Sequence, residues 1–61
     1  MYYLDIVELF DVIETVEVKD KTVHIRGLKD GVSYEYVKSY GYLKVAKEVA
    51  KRLKYFIGIK K

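Results

Sequence analysis

Tyr42-Leu43-Lys44-Val45-Ala46-Lys47-Glu48-Val49-Ala50-Lys51-Arg52-Leu53-Lys54-Tyr55-Phe56-Ile57 is the clearest periodic stretch of the chain. At roughly 100° per residue, Tyr42, Val45, Ala46, Val49, Ala50, Leu53, Phe56 and Ile57 gather on one side, with Lys44, Lys47, Lys51 and Lys54 opposite. A helix with such a dry stripe must lie on something apolar. Ser39 offers an N-cap, late Lys and Arg suit the negative C-terminal end, and Gly58 can close the helix.

The partner surface is predicted just upstream, where the apolar period falls to two. Val16 and Val18 share one face of a first strand, and Val23 and Ile25 point inward on a second, joined by a turn at Asp20-Lys21. Lys29-Asp30-Gly31 reads as a three-residue hairpin loop, a type I turn followed by Gly in the left-handed region. Residues 32 to 38 then form a third strand, with Val32, Tyr34 and Tyr36 on one face and Ser33, Glu35 and Val37 on the other.

Residues 4 to 14 fit a short amphipathic helix, since Ile6, Leu9, Phe10 and Ile13 fall together while Asp5, Glu8, Asp11 and Glu14 face away. An early strand is the competing reading. The expected fold is therefore one α+β domain over residues 1 to 61. It has a three-stranded antiparallel β-meander, a short N-terminal helix and a longer basic amphipathic C-terminal helix packed on the sheet.

Sixty-one residues bury a modest core, and the usual staples are missing: the chain has no Cys, and the lone His24 cannot build a zinc centre unaided. Asn, Gln, Trp and Pro are also absent, beside abundant Lys, Glu, Val, Ile and Tyr. Depletion of heat-labile amides and thiols points towards a thermophile. No apolar run reaches the roughly 18 to 20 residues that span a bilayer, and acids stand near the N-terminus where a secretory signal carries positive charge. A cytoplasmic protein that does not bind membranes is expected.

The net charge of +3 hides a polarised layout. Asp5, Glu8, Asp11, Glu14, Glu17 and Asp20 stand against Lys19 alone in the first twenty residues, whereas Lys44, Lys47, Lys51, Arg52, Lys54, Lys60 and Lys61 stand against Glu48 alone near the end. On a helix the four central lysines span roughly 15 Å, enough to track a phosphate backbone. Arg52, Tyr55, Lys60 and Lys61 would widen that footprint. A solvated face of a heat-adapted helix gives the same pattern.

Seven Tyr, four of them at positions 34, 36, 40 and 42, supply either flat rings for stacking on unpaired bases or ordinary sheet packing. No catalytic residue stands out. His24 lies out of phase with Val23 and Ile25 and is expected on the outer sheet face, without a partner for acid–base work. The four Gly are isolated and form no phosphate-cradling loop, and the acidic row fans around its axis without converging on a metal.

The expected function is thus non-enzymatic binding of nucleic acid, with RNA or a ribonucleoprotein ahead of DNA and no cofactor or metal. The alternative is a protein-interaction or regulatory module acting as a homodimer, through apolar surface and opposite-charge helices.

Overall fold

A computed structural model describes residues 3–59. Helix α1 spans Tyr3–Glu8, strands β1, β2 and β3 span Val12–Lys19, Thr22–Lys29 and Val32–Ser39, and helix α2 spans Leu43–Lys54. The strands form one antiparallel sheet in the order β1-β2-β3, and α2 packs across β1 and β2. The expected α+β meander with its two helices is the architecture observed.

The core lies between sheet and helix. Ile13, Val16, Val23 and Ile25 meet Ala46, Val49, Ala50 and Leu53 from α2, with Ile6 and Phe10 closing one end. The two alanines let the helix backbone approach the strands, while Leu53, Val23 and Ile25 are completely buried, each worth about 1.5–3 kcal/mol.

The N-terminal helix is shorter than the 4–14 expected, and the reason is instructive. Ile6, Phe10, Ile13 and Val16 are all buried and follow one another at spacings of four, three and three, as on a helix, yet only Ile6 is helical. Helix α1 tightens and stops, with the amides of Leu9 and Phe10 donating to the carbonyls of Ile6 and Val7. The Asp11 amide then donates to the Leu28 carbonyl at 2.8 Å, and the chain enters the sheet. The register breaks between Ile13 and Thr15, so Glu14 is an inserted residue, and this bulge puts both Ile13 and Val16 inward. The acidic residues are consequently spread over α1, β1 and the β1–β2 turn, and they form no helical face that a basic helix could meet.

The β2–β3 connection is also tighter than expected. Lys29 pairs directly with Val32, leaving a two-residue loop in which Asp30 and Gly31 have φ of 54° and 78°. Two consecutive left-handed residues match the right-handed twist of the flanking strands better than the three-residue loop the sequence suggested. The Asp11 carboxylate braces this turn, its Oδ2 accepting from the Asp30 amide at 2.7 Å.

Helix α2 is shorter than 42–57 at both ends. Ser39 does not cap it; it ends β3, its hydroxyl 3.1 Å from that of Thr22. Tyr42 holds the N-cap position without a side-chain hydrogen bond. Beyond Lys54 the turns tighten, and Gly58, at φ 80°, does not close the helix directly; its amide donates to the Ile13 carbonyl at 2.8 Å. Ile57 forms a parallel bridge with Ile13, so this segment covers the edge of β1.

Candidate nucleic-acid interface

About 130° around α2 from the middle of its buried stripe stand Lys44, Lys47, Lys51 and Lys54, all exposed. At 100° per residue these four occupy an arc of about 80°, and from first to last they span roughly 15 Å. Lys47, Lys51 and Lys54 stand beside Val18 and Ala50, so the row borders the β1 side of the sheet. Among the described residues none of the four forms an ion pair.

Arg52 does not join this row. It lies about 120° around the helix from the middle of the lysine arc, and its Nη2 donates to Glu48 Oε1 at 3.1 Å. Tyr55 follows the last lysine and is 72% exposed at the helix C-cap. Lys60 and Lys61 lie outside the described residues.

Tyr42 belongs to the surface although the helical period assigns it to the apolar stripe. It is 74% exposed and holds the N-cap position, just before α2 begins. Tyr42 and Tyr55 stand beyond the two ends of the lysine row, about 20 Å apart along the helix, with Tyr55 about 60° and Tyr42 about 160° around the axis from the middle of the lysine arc. Tyr34, Tyr36 and Tyr40 are engaged on the sheet. Tyr34 meets Phe10 with ring centroids 5.3 Å apart, and Tyr40 lies under Lys38 Nζ at 5.8 Å. Partial burial, reinforced by nearby Tyr36, raises the Tyr40 phenol above its ordinary pKa.

The opposite sheet face has a different character. Thr15, Glu17, Lys19, His24, Arg26 and Glu35 line a shallow depression, with Glu17 paired across to His24 and Arg26 to Glu35. Acids and bases alternate there, so this face presents no continuous field of one sign. His24 takes the outer position expected of it. Among the described residues no three His, Asp or Glu converge as a metal site requires, and no helix is long and apolar enough to cross a membrane.

Fold and surface together define a small α+β meander domain with one cationic helix face. No protein-family model, curated protein or solved structure matches this chain.

Proposed function

We propose that the protein binds RNA, alone or within a cytoplasmic ribonucleoprotein, with Lys44, Lys47, Lys51 and Lys54 held against phosphates. The observation that carries this reading is the lack of any ion pair to these lysines among the described residues, on the side of α2 turned away from the core. Four like charges spaced by three and four residues cost the isolated helix a few tenths of a kcal/mol per pair, and a polyanion removes that cost.

Tyr55 favours RNA over duplex DNA. An exposed ring at the end of a basic row suits an unpaired base, a stack being worth about 1–3 kcal/mol. The acids of residues 5 to 20 disfavour a partner large enough to touch the whole molecule, as a long duplex is.

Fluorescence anisotropy with labelled single-stranded RNA, double-stranded RNA and duplex DNA tests the reading across a salt series. Four phosphate contacts give log affinity falling against log salt with a slope near −3 on a single strand. Replacing the four lysines by Ala should remove most of that slope. Absence of binding to any of the three nucleic acids at about 50 mM salt ends the proposal.

A further inference from the structure

The two edges of the sheet are unequal. The β1 edge carries a bulge and is bridged by Ile57 and Gly58. Strand β3 pairs with β2 in unbroken register from Val32 to Ser39, has no Pro and no bulge, and no described segment pairs with its far side. The Tyr40 amide donates back to Lys21, so even-numbered amides of β3 turn towards β2. By strand alternation, Ser33, Glu35, Val37 and Ser39 turn their amides and carbonyls outward.

The inner face of β3 is open too. Helix α2 covers β1 and β2, leaving Val32 65% and Tyr34 40% exposed beside half-buried Tyr36. An open edge with an adjoining apolar strip invites another strand. Charge decides which strand fits.

We propose that β3 of one copy pairs antiparallel with β3 of a second copy about a two-fold axis at Tyr36, merging two sheets into one of six strands. In this register Ser33 faces Ser39, Tyr34 faces Lys38 and Glu35 faces Val37, with Val32 opposite Tyr40 just past the end of the partner strand, so every outward-turned residue from Ser33 to Ser39 is paired and no like charges oppose. Shifting the axis to residue 35 sets Glu35 against Glu35. Shifting it to residue 37 leaves Ser33, whose backbone turns outward, beyond the partner strand as well. The chosen pairing forms about eight backbone hydrogen bonds and sets each Lys38 against a Tyr34 ring, a cation–π contact. Both α2 helices then lie on one face of the joined sheet.

Sedimentation of the full chain at micromolar concentration should give twice the 7.2 kDa monomer mass. Glu35 and residue 37 of the other copy are direct neighbours in this register, and Val37 is exposed on the outer face. Val37→Glu should therefore weaken the dimer by about five-fold or more, and Val37→Lys should preserve or tighten it. Circular dichroism would confirm that both variants fold. Tyr36→Cys should cross-link on oxidation, because directly opposed residues that do not share hydrogen bonds stand about 4.5 Å apart at Cα, and the chain has no other Cys. A monomer at every concentration overturns the proposal, as does a dimer indifferent to the charge at residue 37.

Discussion

Gly27 lies directly under Phe10: a Cβ placed on Gly27 would stand 2.8 Å from Phe10 Cδ2 and would collide with the Val12 backbone oxygen. The missing side chain makes room for a fully buried ring and lets β1 approach just before its bulge. Gly27 has an ordinary strand conformation, so space is what requires glycine here.

Gly27→Ala should therefore destabilise the fold by about 2–3 kcal/mol, in the range for overpacked cores. Phe10→Ala removes the ring itself and should cost about 3–5 kcal/mol. A chain of this size has only about 3–9 kcal/mol in total, so thermal melts should show a lowered midpoint for the first variant and little cooperative transition for the second. Unchanged melting of Gly27→Ala would contradict the close approach.

If the lysine row binds RNA as proposed, stability and binding should move in opposite directions when a lysine is replaced by an acid. In Lys47→Glu the new carboxylate sits four residues before Lys51 and three after Lys44, replacing two repulsions by attractions. Stability should rise by about 0.3–0.5 kcal/mol while RNA affinity and its salt slope both fall. Melting and anisotropy on the same sample separate the two effects. A loss of both would mean that Lys47 is held by the fold.

The two-residue β2–β3 turn sets a third expectation. Gly31 has φ of 78° with open space around its Cα, so Gly31→Ala is strained by backbone conformation alone and should cost about 1 kcal/mol. Asp11→Ala should cost about 1–2 kcal/mol by releasing the Asp30 amide from a charged acceptor. Both changes should show as earlier unfolding in urea.

Tyr40 gives the alkaline limit a structural source. Burial, and secondarily Tyr36, favour its neutral phenol in the folded chain, so its folded pKa lies above the unfolded value near 10. Stability from this shift is fully present below pH 10. Above it the unfolded chain holds fewer protons than the native one, so the contribution is lost as pH rises through the folded value. Tyr40→Phe should flatten the decline measured by urea unfolding between about pH 9 and 11. An identical decline in the variant would assign the effect to other groups.

Sequence periodicity determined the meander, the inward faces of Val16, Val18, Val23 and Ile25, the outward position of His24, and the dry and cationic sides of α2. Each depends on local geometry, with two or 3.6 residues per repeat, and side-chain direction follows from that repeat. Periodicity misled at Ile13, where a bulge reproduces helical spacing inside a strand, because the inserted Glu14 is specified by pairing with β2 and not by its neighbours. It misled again at Tyr42, whose burial depends on what lies beneath the helix start.

Tertiary structure alone decided that Gly58 closes the edge of β1 and that the edge of β3 stays open, whereas the turn of Arg52 towards Glu48 is a local pairing of residues four apart on α2. Both tertiary features depend on which segments meet across long stretches of chain. Pairing partners and open edges are properties of the assembled sheet, and no single stretch of residues encodes them.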